Sequence, residues 1–215
     1  MTDKEVVELI EKEFTEKTLA VTEQYLDIHQ PIYKNGQLVI SRIDREDTDT
    51  IIAYLPVNDE YFFFAVYIDI ASKELVSITT ESRNTVSLIA ISEILNSNEI
   101  QTFTTIKANE TWNKGDFKLN SKLKHAFSGI EFLPNPEPDE IEDKLNKLLM
   151  VLQQDKSGIR TLASNCNAFV QVTMDFHRGN QILGSALLCL DDIQILNELN
   201  LKVRFDFTAW GEPFR

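Results

Sequence analysis

The sequence predicts an α+β protein: an N-terminal helix plus an antiparallel β-meander, then a C-terminal α/β-sandwich-like domain with a mostly antiparallel sheet backed by helices. Three observations lead to this prediction. Residues 3–18 repeat apolar side chains at helical spacing, and short runs rich in β-branched and aromatic residues follow as far as residue 82. From about residue 86, strand patterns alternate with helical ones. We therefore predict two domains, residues 1–84 and residues 85–215.

The N-terminal strands are predicted to form the meander. Five runs carry the strand pattern, separated by turn residues: TLAVTEQYLDIH, GQLVISRI, TIIAYLPV, YFFFAVYIDI and ELVSITTES. The connections are too short for crossover helices, so the strands are expected to be antiparallel. In YFFFAVYIDI both alternating faces are largely apolar. This predicts a central strand that is covered on both sides, with the helix at 3–18 on one of them.

The C-terminal half is predicted from one long helix, several short helices and four strands. Apolar residues at helical spacing mark the long helix: Ile141, Leu145, Leu148, Leu149 and Leu152. The strands are VSLIAIS, HAFSGIEFL, NAFVQVTMDFH and LKVRFDFTAW. Short helices are expected at NSNEIQTFTTI with Ser97 as a candidate cap, after an interruption at Gly158, and at LDDIQILNELN. Each of the last two strands alternates an apolar row with a polar row, which predicts helices on one side and an open polar side.

Charge and composition exclude several classes of function. The chain has 34 acidic and 21 basic side chains, a net charge of −13, which disfavours binding to nucleic acids. No apolar run is long enough to cross a bilayer, and the acidic start MTDKEVVELIEKEF is unlike a signal peptide. We therefore expect a cytoplasmic protein without a membrane contact. Cys166 and Cys189 are too few for a disulfide framework and too far apart for a metal knuckle.

The C-terminal part resembles a known family. The elements ISEILNSNEI, ETWNKGD and GIEFL, then the leucine-striped helix, FVQVTMDFH and LNELNLKVRFDF, occur in an order similar to the bacterial family called domain of unknown function 4279, over roughly residues 86–210. The chain departs from the family's pattern where a tryptophan usually stands in the strand after KGD, which here reads AFSGIEFL. The resemblance implies a sheet backed by helices, and some members look like products of toxin–immunity gene clusters. It implies no reaction and no catalytic residues.

His177 is the best single candidate for chemistry in the sequence. It forms an Asp-x-His pair with Asp175, and the i, i+2 spacing puts both on one strand face, where a carboxylate can orient a general base. A metal site would need a third ligand, and His29 and His125 lie in other segments. The alternative is a surface histidine at a strand end. No catalytic motif occurs, so we expect no enzyme, no metal and no cofactor.

The segment from Asn113 to His125 differs from the rest of this acidic chain. Four lysines against Asp116 give it a net charge of +3. An exposed loop with a tryptophan is a sensible protein contact, so the candidate partner-binding residues are Trp112, Lys114, Asp116 and Lys118. Alternatively, Trp112 packs in the core, Lys-Gly-Asp turns the chain, and the lysines face water. Without a second aromatic or an arginine, the segment is poorly suited to nucleic acid.

Three functional hypotheses follow. The first is a non-catalytic protein-interaction module, whose sharpest version is an immunity-type inhibitor that uses its acidic surface against a basic toxin. The second is a small-ligand binding or sensory module on the open polar sheet face, with these candidate residues: Gln171, Thr173, Asp175, His177, Arg204 and Asp206. The third is an unrecognised hydrolase centred on His177. The sequence leaves the oligomeric state open.

Overall fold

A computed structural model describes residues 1–119, 121–179 and 185–212. It confirms the α+β class and the mostly antiparallel pairing. The described residues form two compact units: the first contains 1–83, 174–179 and 207–212, and the second contains 84–119, 121–173 and 185–206. Independent folding of 1–84 and 85–215 stays a prediction. No helix in the described ranges is long and apolar enough for a membrane crossing.

The elements are numbered in chain order. The helices are α1 (Asp3–Glu16), α2 (Ala20–Ile28), α3 (Ser97–Gln101), α4 (Ile141–Leu152), α5 (Lys156–Asn165) and α6 (Leu190–Glu198), with a 3-10 turn at Gln153–Asp155. The strands are β1 (Tyr33–Lys34), β2 (Gln37–Leu38), β3 (Arg42–Asp44), β4 (Thr50–Pro56), β5 (Phe62–Asp69), β6 (Glu74–Ser92), β7 (Glu110–Trp112), β8 (Ser128–Phe132), β9 (Asn167–His177) and β10 (Lys202–Trp210).

Eight of these strands form one sheet in the order β10-β9-β6-β5-β4-β3, with β8 also pairing with β6, and β7 with β8. The pairs from β3 to β6, the pair β6–β8 and the pair β7–β8 are antiparallel. Side-chain hydrogen bonds between β9 and β10 join residues at a constant offset of 35: Gln171 donates to Asp206, and Trp210 donates to Asp175. A constant offset is the register of a parallel pair, and α6 is the helix that such a connection requires.

The core of the first unit is built on β5. Phe62, Phe64, Val66 and Ile68 are at most 1% exposed, and they belong to one apolar cluster with residues of α1 and α2. On the opposite face Ala65 is also fully buried. β5 lies between β4 and β6 in the sheet. The prediction of a central strand buried on both faces, with the first helix on one of them, is therefore confirmed.

The predicted strand TLAVTEQYLDIH is wrong, because most of this run forms α2. Its buried residues are Thr22, Tyr25 and, just past the helix end, His29. Their spacing of three and four is that of one helix face, and burying that face against β5 outweighs the strand propensity of the β-branched residues. The next run, GQLVISRI, divides into β2 and β3, and a turn at Asn35 and Gly36 joins β1 to β2.

Other differences concern where elements begin and end. The runs ELVSITTES and VSLIAIS are one continuous strand, β6, of 19 residues. Asn96, rather than Ser97, caps α3, since its side chain accepts a hydrogen bond from the Glu99 N–H. Gly158 does not interrupt a helix but lies within α5.

The long helix of the second unit is as predicted. Ile141, Leu145, Leu148, Leu149 and Leu152 of α4 are all at most 1% exposed. Lys144 is also only 1% exposed, although nothing in the sequence predicts that this lysine is buried. Its ammonium donates to the backbone carbonyl oxygens of Asn135 and Glu137, so the charge is held by the loop that precedes α4.

The predicted faces of β10 are wrong. Phe205 and Phe207, in the apolar row expected to lie under helices, are 38% and 58% exposed. Among the residues that the structure describes, β10 lies at the end of the strand order, where less of the unit covers its side chains. On β9 the supposedly open row begins with Phe169 and Gln171, and both are buried.

Glu13 joins α1 to α2, and we expect its removal to destabilise the first unit. The buried carboxylate accepts hydrogen bonds from the Thr18 and Thr22 hydroxyls and from the Leu19 N–H at 3.0 Å. Burial raises the pKa of Glu13, but these hydrogen bonds outweigh burial and hold it below its ordinary value. Glu13→Ala should therefore cost about 2–3 kcal/mol of unfolding free energy in urea titrations. The exposed Glu8→Ala is the control and should change stability by less than about 0.5 kcal/mol.

Asp155 has the corresponding role in the second unit. Its carboxylate accepts from the Thr105 N–H at 2.7 Å, from the Gly158 N–H at 2.9 Å and from the Thr104 hydroxyl at 2.9 Å, so it caps α5 and holds the loop after α3. These hydrogen bonds, the Thr105 N–H first, hold the pKa of Asp155 far below its usual range.

We expect Asp155→Ala to lower the unfolding free energy at pH 7 by about 2 kcal/mol, from the loss of the cap and of the loop contacts. Because the folded pKa is lowered, this stabilisation is present above the unfolded pKa of about 3.9 and is lost as pH falls through the folded value. Urea titrations from pH 7 to pH 2 should show wild type and variant converging. A constant difference down to pH 2 would contradict this assignment.

Candidate binding surfaces and a buried histidine pair

The lysine-rich segment is an ordered hairpin that continues from β7 and β8. Gly115 N–H donates to the His125 carbonyl at 2.9 Å, and His125 N–H donates to the Asp116 carbonyl at 2.9 Å. Further out, Phe117 bridges to Lys124, and Lys118 N–H donates to the Leu123 carbonyl at 2.9 Å. Gly115 has φ +94°, a conformation that favours glycine. We call residues 113–125 the basic hairpin, of which Asn120 lies outside the described residues.

The side chains of the basic hairpin are apolar and cationic in alternation. Phe117, Leu119 and Leu123 are 67%, 86% and 66% exposed. All four lysines of the segment are exposed as well. The two outer cross-strand pairs, Phe117 with Lys124 and Lys118 with Leu123, each join an apolar side chain to a lysine, and the Lys124 ammonium lies 5.0 Å from the centre of the Phe117 ring. The segment therefore exposes apolar side chains that have lysines next to them.

Trp112 belongs to the base of this hairpin and is half-buried. Its ring stacks on His125 with centroids 5.2 Å apart, and a Cβ at Gly129 would lie 2.4 Å from its indole. Lys114 contributes its N–H to Ser128 Oγ at 3.0 Å, and Asp116 accepts from the Asn113 N–H at 2.7 Å. Trp112, Lys114 and Asp116 thus order the turn, while the Lys118 side chain extends into solvent. Their role in binding a partner stays a prediction.

The polar residues of β9 and β10 are largely bonded to one another. Gln171 is 8% exposed and donates to Asp206 at 3.1 Å, and the Arg204 guanidinium lies 3.1 Å from the same carboxylate. Thr173 lies 3.5 Å from Gln171, and Asp175 accepts from the Trp210 indole N–H at 2.7 Å. The structure therefore brings Gln171, Thr173, Arg204 and Asp206 together, whereas Asp175 is held by Trp210.

His177 is fully buried, so the interpretation as a surface histidine is wrong. Its Nε2 lies 3.1 Å from Nε2 of His29 and 2.8 Å from the Glu212 carbonyl oxygen. A carbonyl only accepts, so Nε2 of His177 carries a proton when it bonds to Glu212, and that single proton is then not free for a full second hydrogen bond to His29. The two rings are nearly perpendicular, at 85°, and Phe62 contacts both.

His29 faces a carboxylate on its other side. Nδ1 of His29 lies 3.7 Å from the Glu60 carboxylate, which completes a row of carboxylate, imidazole and imidazole. Burial, and next the neighbouring His177, lower the pKa of His29. Burial also raises the pKa of Glu60. Both shifts favour the neutral forms.

The rings of the buried pair are enclosed. His177 is 0% and His29 is 5% exposed, so a substrate in solvent does not reach either ring in this conformation. Gly211 packs against the His29 ring, since a Cβ at Gly211 would lie 2.9 Å from it. Its φ of +77° also favours glycine. In the described part of the chain, no three histidine, cysteine or acidic side chains are grouped so that they could hold a metal ion.

The family model described as Domain of unknown function (DUF4279) matches residues 80–210, more than half of the chain. The chain belongs to the DUF4279 family. This confirms the resemblance that the C-terminal sequence elements indicated. No curated protein and no solved structure matches the chain.

The DUF4279 match divides the candidate residues. The basic hairpin, β9 and β10 all lie within it, whereas His29 and Glu60 lie outside. Sequence reasoning missed His29 because it ends a run that was assigned to a strand. It also missed Phe117 and Leu123, although alternation of apolar residues with lysines in FKLNSKLK is a hairpin pattern that was available.

We expect His29 of the buried pair to make stability depend on pH. Because the pKa of His29 is lowered, the unfolded chain binds more protons below its unfolded pKa of about 6.5, so the unfolding free energy decreases as pH falls from 6.5 through the folded value. The facing groups are His177, Glu60, the Glu212 carboxyl and the Tyr25 ring. Urea titrations between pH 7.5 and pH 5 measure this slope.

The matched variant is His29→Gln, which keeps a polar side chain but does not titrate. It should reduce stability at pH 7.5 and flatten the slope between pH 6.5 and pH 5. An unchanged slope in His29→Gln would show that other groups cause the pH dependence.

Proposed function

We propose that this DUF4279 protein is a non-catalytic protein-interaction module and that the basic hairpin is its contact. One observation carries the proposal: Phe117, Leu119 and Leu123 are each about two-thirds or more exposed on a hairpin whose backbone is hydrogen-bonded. Large apolar side chains that cluster on a surface with a polar rim mark an interaction site. A hairpin that is already ordered also loses less conformational entropy on binding than a flexible loop.

The charge of the hairpin indicates the kind of partner. Its net +3 stands on a protein of net −13, so it suits a protein surface with an apolar centre and acidic residues around it. An anionic membrane would attract the hairpin but repel the rest of the chain, which makes a membrane the weaker candidate. Lysines at the rim should act mainly on the association rate, and the apolar side chains on the lifetime of the complex.

The immunity-type version of the proposal has separate support. The net charge of −13 favours a basic partner, as a toxin inhibitor would need, but it favours contact with the acidic surface rather than with the basic hairpin. The ligand-binding alternative is supported less, since Gln171 and Asp206 already bond to each other. The burial of His177 gives no support to a hydrolase.

The first experiment is a pull-down from native lysate with the intact chain, followed by calorimetry with the purified captured protein. Phe117→Ser with Leu123→Ser removes the apolar contacts and keeps the charge. Lys118→Glu with Lys122→Glu keeps the apolar contacts and changes the segment from +3 to −1. We expect each double variant to weaken binding at least tenfold, about 1.4 kcal/mol, and the captured protein to be acidic at its contact.

Met150→Ser is the control, because Met150 is 69% exposed on α4, away from the hairpin in sequence. It should bind as wild type does. If a captured protein keeps full affinity for both hairpin variants, the hairpin is not the contact. If that protein is also basic, the acidic-surface version takes its place.

A further inference from the structure

A groove runs along α1 in the first unit. It consists of two adjacent cavities of about 520 and 280 Å³, which share Leu9, Lys12 and Lys73 as lining residues. One wall is α1, and the other is the turn from β5 to β6 with the start of β6. Leu9 and Leu75 are half-buried and pack against the apolar cluster of this unit, so their exposed parts give the groove an apolar lining. We call it the α1 groove.

The charge of the α1 groove is negative. Five glutamates line it against two lysines, which gives a net charge of −3; the glutamates are Glu5, Glu8, Glu13, Glu16 and Glu74. Three of them form ion pairs of 3.6–3.9 Å: Glu8 with Lys4, Glu5 with Lys73 and Glu16 with Lys12. Exposed pairs of this length stabilise little, so they are readily exchanged for a new cation.

The basic hairpin has the complementary features. It exposes the apolar side chains of Phe117, Leu119 and Leu123, and the lysines next to them give it a net charge of +3. When these apolar side chains bury against Leu9 and Leu75, the lysines reach the glutamates of the groove. The hairpin belongs to the second unit and the groove to the first, so two copies of the chain together supply a complete contact.

We propose that the α1 groove is a docking site for the basic hairpin of a second copy of this protein. This inference rests on the proposed function, because it takes the basic hairpin as the contact and names its partner. The occupant is a second copy because the charges of +3 and −3 are opposite and equal, and because both surfaces have apolar side chains between the charged ones. Each copy then uses its hairpin and its groove on different surfaces, and such contacts close into rings or repeat into chains.

Exchanging the charges tests the contact. Glu8→Lys with Glu74→Lys, called the groove variant, changes two exposed positions and takes the groove from −3 to +1. Lys118→Glu with Lys122→Glu takes the hairpin from +3 to −1. Each double variant should weaken self-association by about tenfold or more, and all four changes in one chain should restore it, since the charges are then opposite again. Sedimentation velocity from low micromolar to several hundred micromolar protein measures association, and circular dichroism confirms folding.

Mixing two variants tests whether hairpin and groove are the two halves of one contact. Phe117→Ser with Leu123→Ser, called the serine variant, keeps an intact groove, and the groove variant keeps an intact hairpin. Each alone should sediment as a monomer. Mixed in equal amounts, the intact hairpin of one meets the intact groove of the other, so a one-to-one dimer and no larger species should form.

Glu23→Lys with Asp27→Lys is the matched control. It makes the same charge change in the first unit, at two exposed positions of α2 that do not line the groove. It should associate as wild type does. If the groove variant does not fold, Glu8→Gln with Glu74→Gln replaces it and should weaken association in the same direction. Wild type that stays monomeric at the highest concentration, or a mixture that forms no dimer, would overturn the inference.

Failure of this inference is distinguishable from failure of the proposed function. If the groove variant associates like wild type while the serine variant loses affinity for a protein captured from lysate, the inference fails and the proposed function stands. If the serine variant both associates like wild type and keeps full affinity for the captured protein, both fail.

Discussion

Burial of β5 on both faces is the constraint on which the first unit depends. A strand that carries Phe62, Phe64, Val66 and Ile68 on one side cannot leave that side to water, and α1 and α2 supply the cover. Covering this face of β5 stabilises a helix at Ala20–Ile28, although the run has strand propensity. It also brings His29 against Phe62, because His29 follows directly on the helix that covers the strand.

Dense apolar packing then decides how polar groups are held. Glu13, Lys144 and Asp155 keep their charges in or near buried positions because several hydrogen bonds replace water around each of them. His29 is held differently: burial lowers its pKa and so favours the neutral ring, which lies 3.1 Å from the His177 ring. Each of these groups joins segments that are distant in sequence or are separated by a turn, so they act as fixed points between elements rather than as reactive groups.

The candidate contact surface, the basic hairpin, lies outside this packed core. The basic hairpin extends beyond β7 and β8, and backbone hydrogen bonds order its alternation of apolar and cationic side chains. The hairpin offers pre-ordered β-structure to a partner, which is a mode of recognition that needs little conformational change.

The sequence by itself determined the α+β class, the family, the α4 stripe and the doubly buried β5, because these depend on periodicity within one segment. It also singled out His177 and the lysine-rich segment. Only the tertiary structure decided that residues 20–28 are helical, that His29 meets His177 across 148 residues, and that Phe205 and Phe207 face solvent. These outcomes depend on which elements become neighbours, and a local pattern of polar and apolar residues carries no information about its neighbours.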